Sequence, residues 1–241
     1  MKLLRAFAIM PCLLAVFLFH VVDQADAETK ALPERVTEWI DSRAAERLAE
    51  EKSPGISLAI VVDGELVYQK GYGVNTIGDD APPPEETSYQ VASVTKSFVG
   101  TLAAKMTADG RVDLDVPITE YAPDVVFHAS AQSAPITLRL LLSHQSGLGN
   151  ISEWDYTLPE GLPDGFDVWV PEPRSTEDLL SGITVTPNVF PVGERYQYSG
   201  TGSALAAYVL AEAGGYESFD AALNTELLQP LGMTDTFFRT S

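Results

Sequence analysis

Ser93 and Lys96 stand three residues apart in Ser93-Val94-Thr95-Lys96, the only Ser-x-x-Lys in the chain. Where such a quartet opens a helix, the serine hydroxyl and its own N–H lie in the positive end of the helix dipole. One turn along the same face, the lysine amine reaches the serine oxygen. A partly desolvated amine loses its proton more easily, so it can take the serine proton or hold a neighbouring phenolate. The chemistry such a pair can do is nucleophilic attack through a covalent intermediate. The same four residues also suit a plain N-cap serine beside a solvated lysine, so the motif needs its structural context.

Two further stretches carry side chains able to join that chemistry. In Pro191-Val192-Gly193-Glu194-Arg195-Tyr196-Gln197-Tyr198-Ser199-Gly200, Tyr198 falls on a turn just before a helix, where its phenol can be presented to a site or packed as a loop-end aromatic. In Leu140-Leu141-Leu142-Ser143-His144-Gln145-Ser146-Gly147-Leu148, His144 lacks an acidic partner at a recognisable offset. It is read as a structural histidine that hydrogen-bonds a loop.

The elements that must position these groups are legible in outline. Leu32, Val36, Trp39, Ile40 and Ala44 recur at helical spacing, with Pro33 near the start and Pro54-Gly55 as a stop. Residues 56–62 and 65–72 form β-rich runs around Asp63-Gly64, a two-residue hairpin turn. Residues 81–84 form a loop. From Ser93, the apolar residues Val94, Phe98, Leu102 and Met106 repeat every four positions until Asp109-Gly110. Further helices are expected around 138–143, 176–180, 202–213 and 218–228. The stretch 150–173, rich in Pro, Gly and acid and bearing Trp154, Tyr156, Phe166 and Trp169, has the length of a functional lid or a disordered loop.

In their order along the chain, Ser93-x-x-Lys96, Leu-Leu-Ser-His-Gln-Ser-Gly-Leu at 141–148, Pro-Val-Gly at 191–193 with Tyr198-Ser199-Gly200, and Gln229-Pro230-Leu231-Gly232-Met233-Thr234-Asp235-Thr236 resemble the serine beta-lactamase-related hydrolases. That family includes class C beta-lactamases, penicillin-binding DD-carboxypeptidases and related esterases. Gly110-Arg111-Val112-Asp113-Leu114-Asp115 and Gly71-Tyr72-Gly73 look like its connectors, and the resemblance covers about residues 35–238. It implies an α+β fold, with an antiparallel sheet flanked by helices plus an all-α subdomain. It also implies an acyl-enzyme at Ser93, with Lys96 and Tyr198 sharing the proton work and the Ser93 N–H as one half of an oxyanion hole. Which of Lys96 and Tyr198 acts as base stays open, because strongly coupled groups titrate as a pair.

Two departures accompany the resemblance. The family's Tyr-x-Asn is here Tyr198-Ser199-Gly200, and glycine cannot hydrogen-bond a substrate amide, which leans the reading towards simple esters. The family's Lys-Thr-Gly or His-Thr-Gly strand has no counterpart: no lysine follows Lys105 and no histidine follows His144. The expectation is therefore an incomplete sheet without its C-terminal strands, in a piece of a longer hydrolase. The alternative is a catalytically inactive ligand-binding domain or a truncated remnant of such an enzyme.

Charge and the N-terminal residues narrow the location and the partners. The 241 residues are 45% hydrophobic and carry a net charge of −19, which disfavours nucleic acid and anionic membrane surfaces. Lys2 and Arg5 precede an apolar stretch over 6–22, and Ala25-Asp26-Ala27 has small residues at −3 and −1. Residues 1–27 are thus expected to be a signal peptide, and 28–241 the domain. Within that domain a helix and hairpin occupy 29–73 and the helical subdomain and site elements 86–241. The protein is expected to be secreted or periplasmic, with no stable membrane association once the leader is removed. The single cysteine, Cys12, lies in the leader. No metal or organic cofactor is implied, and the resemblance implies a small-molecule or cell-wall-type ester or amide as the partner.

Overall fold

Pro33 sets the entry to helix α1 (Glu34–Glu51), where its missing N–H costs no hydrogen bond. Lys52, left-handed at φ 53°, ends the helix, and Pro54 follows. The computed structural model describes residues 31–131, 133–149 and 176–238. The expected leader, residues 1–27, and the loop at 150–173 lie outside the described residues. The described residues fall into two compact units, one up to Thr87 and one from Ser88.

The first unit is α1 and a hairpin. Strands β1 (Gly55–Val62) and β2 (Glu65–Gly73) pair antiparallel, from Gly55 opposite Gly73 to Val62 opposite Glu65. Asp63 and Gly64 both have positive φ, 54° and 83°, as a turn that follows the strands' own twist requires. The register slips between Ile60 and Val61, a β-bulge. Helix and hairpin are tied by Asp41, whose Oδ1 accepts from Lys70 Nζ at 2.8 Å, Tyr72 Oη at 2.7 Å and Tyr68 Oη at 3.2 Å. The Lys70 ammonium, then the Tyr72 hydroxyl, holds the Asp41 carboxyl below the usual aspartate range. Trp39, assigned by periodicity to the apolar face, is instead 64% exposed, and Ile40 is the buried α1 side chain. Two strands only about 5 Å apart are too narrow to cover a whole helix face.

The second unit is helical. Helix α5 (Gly200–Gly214) is packed by α2 (Thr95–Ala108), α3 (Leu138–Leu142), α4 (Thr176–Val185) and α6 (Phe219–Leu223), which runs on into a π-turn at Asn224–Leu228. Leu102 and Met106 of α2, Leu138 and Leu141 of α3, and Leu205 and Leu210 of α5 are wholly buried. Each stabilises the unit by roughly 1.5–3 kcal/mol through lost apolar exposure. The stripe that α2 buries is Val99, Leu102, Ala103 and Met106. Val94 lies before the helix in a 3-10 turn (Ala92–Val94) and is exposed, so the four-residue repeat misplaced the start of that face.

Polar ties fasten the rim. Arg111 and Lys105 both pair with Glu226 of the π-turn, at 2.6 and 3.0 Å, and Tyr216 donates to the same carboxylate. Arg139 of α3 grips Asp115 with two nitrogens at 2.6 and 2.9 Å, holding the 110–115 connector on the helix.

Candidate active site

Ser93 sits in the 3-10 turn that leads into α2, and Lys96 lies in the helix's first turn. Lys96 Nζ donates to Ser93 Oγ at 3.2 Å, as the spacing of three predicts. Ser93 is exposed and Lys96 half-buried, so the hydroxyl is open to a ligand from outside. The preceding residue, Ala92, has φ 43°. A side-chain-bearing residue in that region costs about 1–2 kcal/mol, and such strain is kept where the surroundings over-determine it.

Tyr198 arrives from the other end of the unit. Ser199, extended and fully buried, caps α5 by accepting the Gly202 N–H at 2.9 Å, which leaves Tyr198 just outside the helix. Its phenol donates to Ser93 Oγ at 2.7 Å, and its ring lies 5.0 Å from Lys96 Nζ. The nucleophile candidate thus accepts from an amine on one side and a phenol on the other. The three residues to which the resemblance assigns the chemistry, Ser93, Lys96 and Tyr198, meet at one oxygen.

The loop after α3 joins this arrangement. Val189 N–H bonds to Gly147 O at 2.9 Å, Gly193 N–H to Gln145 O at 2.8 Å and Gln197 N–H to His144 O at 2.8 Å. The segments 144–147 and 189–197, recognised separately in the sequence, are therefore fastened backbone to backbone. His144 Nδ1 accepts the Ser199 N–H at 3.3 Å, so the histidine does hydrogen-bond a loop, and that loop carries Tyr198. Burial first, and the Lys96 charge second, push the His144 imidazole below its ordinary value and favour the neutral ring.

The model of the family described as Beta-lactamase matches residues 40–241. The chain belongs to the Beta-lactamase family. Among curated relatives of this family member is "Esterase EstB" of Burkholderia gladioli, 29% identical over 209 residues, which are 83% of this chain and 50% of the relative. A solved structure titled as the octameric penicillin-binding protein homologue from Pyrococcus abyssi superposes with a TM-score of 0.67 at 28% identity, covering 82% of this chain and 43% of that one. A class C beta-lactamase in complex with cefoxitin gives a TM-score of 0.66 at 23% identity, over 86% of this chain and 52% of that one, a likeness of fold. The chain spans about half, or less, of the length of the curated relatives it matches. Its two-stranded sheet and helical second unit agree with part of the α+β Beta-lactamase-family fold.

Sequence reasoning left two features of the site unread. The left-handed Ala92 before Ser93 gives no signal in composition or periodicity. The contact of the His144 ring with Tyr198 could have been sought only by supposing that the 141–148 and 191–200 segments touch. Among the described residues no group of His, Cys, Asp and Glu is arranged to hold a metal ion.

Proposed function

We propose an exported serine hydrolase that cleaves an ester or amide through an acyl-enzyme on Ser93. The observation that carries this reading is the convergence of Lys96 Nζ and Tyr198 Oη on Ser93 Oγ. An oxygen that accepts from two donors becomes a nucleophile when one of them turns acceptor, as a neutral amine or a phenolate. Ser93 Oγ then bonds to the carbonyl carbon, its proton passes to the Lys96–Tyr198 pair, and the carbonyl electrons move to oxygen. Collapse expels the alcohol or amine, which leaves with that proton. Water attacks the acyl-serine in the second half, gives its proton to the same pair, and Ser93 is regenerated as the acid departs. The Ser93 N–H, at the mouth of α2, supplies one donor to the oxyanion.

Simple esters are the favoured substrate class. Gly200 offers no side chain to an amide, and a relative at 29% identity bears the name esterase. The test is to incubate the full-length protein with p-nitrophenyl butyrate and with a chromogenic beta-lactam, and to map any acyl adduct by peptide mass. The reading expects faster ester turnover and an adduct on the Ser93 peptide, both lost in Ser93→Ala with the melting temperature kept. Turnover that survives Ser93→Ala would sink it, and an adduct that never hydrolyses would favour a ligand-binding role. Export is checked by N-terminal sequencing of the secreted or periplasmic protein, which should begin at Glu28.

A further inference from the structure

His144 touches the Tyr198 segment three times over. Its carbonyl accepts the Gln197 N–H at 2.8 Å, its Nδ1 accepts the Ser199 N–H at 3.3 Å, and its ring lies against the Tyr198 ring with centroids 4.7 Å apart at 42°. The residues on either side of Tyr198 are thus held by one amino acid, which also backs the aromatic ring between them. A second aromatic, Tyr196, meets the imidazole edge-on with centroids 5.8 Å apart.

This arrangement has a chemical condition. Nδ1 accepts a hydrogen bond only while it carries no proton, so the imidazole must be neutral with its hydrogen on Nε2. It also has a backbone condition. His144 has φ 58°, a conformation that glycine and asparagine adopt more readily, and the bonds at Gln197 and Ser199 hold it there. With Nδ1 engaged by the Ser199 N–H, His144 is poorly placed to act as a general base on Ser93, whose oxygen is already met by Lys96 and Tyr198.

We infer that His144 is a positioning residue, which holds the Tyr198 phenol on Ser93 Oγ through its unprotonated Nδ1 and its ring face, and releases it when Nδ1 is protonated. This rests on the function proposed above for Ser93 and Tyr198. Among the described residues, the charged and titratable groups that face the imidazole are the Lys96 amine from α2 and the phenols of Tyr196 and Tyr198 from the segment before α5. A second cation beside Lys96 is disfavoured, so release belongs below neutral pH.

The experiment has two readouts on the full-length protein. The first is ester kinetics in His144→Gly, which relaxes φ but lacks both acceptor and ring, and in His144→Asn, which tolerates φ and brings back an acceptor oxygen near the Nδ1 position. Expected is a loss of about 10²-fold in kcat for His144→Gly with KM within about threefold, and recovery of about tenfold by His144→Asn. The acid limb of kcat should follow the His144 titration in the parent and be displaced in His144→Asn. Parent-like kcat in a folded His144→Gly overturns the proposal.

The second readout needs neither a variant nor activity. Imidazole 1H–15N correlation across pH should show His144 protonated at Nε2 and bare at Nδ1 near neutrality, with the Ser199 amide proton shifting in step as the ring titrates. An Nδ1–H tautomer, or a Ser199 amide indifferent to that titration, overturns the proposal even if the variants fail to fold. Failure of the hydrolase reading looks different: turnover persists in Ser93→Ala, or no Ser93 adduct forms, while the NMR coupling is untouched.

Discussion

The Tyr198 hydroxyl lies 2.7 Å from Ser93 Oγ although the two residues are 105 positions apart in the chain. Tyr198 is 45% exposed, so this contact is held by what anchors its neighbours rather than by burial of the ring itself. Ser199 locked into the start of α5, and the backbone bond from Gln197 to His144, fix the tyrosine from both flanks.

Because Lys96 and Tyr198 converge on one oxygen, their losses should not add. Lys96→Met and Tyr198→Phe are each expected to lower ester kcat by about 10²–10⁴. The double variant should fall no more than about tenfold below the worse single one, since groups acting as a unit are non-additive. Steady-state kinetics on the three proteins check this, and fully multiplicative losses would show that the two side chains act at separate steps.

Glu226 makes the stability of the second unit acid-sensitive. Arg111 first, then Tyr216, hold its carboxyl down at about 2, against an ordinary value of 4.5. A carboxyl depressed on folding contributes its stabilisation in full above the unfolded value and loses it as pH falls through the folded one. Glu226→Gln should therefore be less stable than the parent at pH 7, and the gap should close between pH 4.5 and about 2. Denaturant melts across that range test the point, and a gap independent of pH would refute it.

Gly147 is irreplaceable for two reasons at once. Its φ is +78°, and a Cβ there would sit 2.3 Å from the Phe190 carbonyl oxygen. Gly147→Ala is expected to cost about 2–4 kcal/mol, strain and clash together. Gly64→Ala, at φ +83° with nothing within 4 Å of the new Cβ, should cost only about 1 kcal/mol. Comparing the two unfolding free energies separates steric from conformational cost.

Some of this protein was determined within a few residues of chain. The spacing of three from Ser93 to Lys96 brought the amine to the hydroxyl, and Asp63-Gly64 specified a hairpin turn with φ positive at both residues. The pattern predicts a helix over 202–213, and the structure extends it to Gly200–Gly214 between the caps Ser199 and Gly215. These features come from periodicity, turn geometry and caps, which act over one to four residues and are legible without the fold.

Only the tertiary structure decided the rest. The meeting of Tyr198 with Ser93, the backbone ladder joining 144–147 to 189–197, the left-handed Ala92 and the choice of Val99 over Val94 for the buried face all depend on which surfaces pack together. Apolar burial is non-directional, so a pattern of leucines states that a face will be covered without stating by what. Once α5 packs across α2 and α3, the segment before it is carried to the mouth of α2, and three residues that could each have been ordinary become one site.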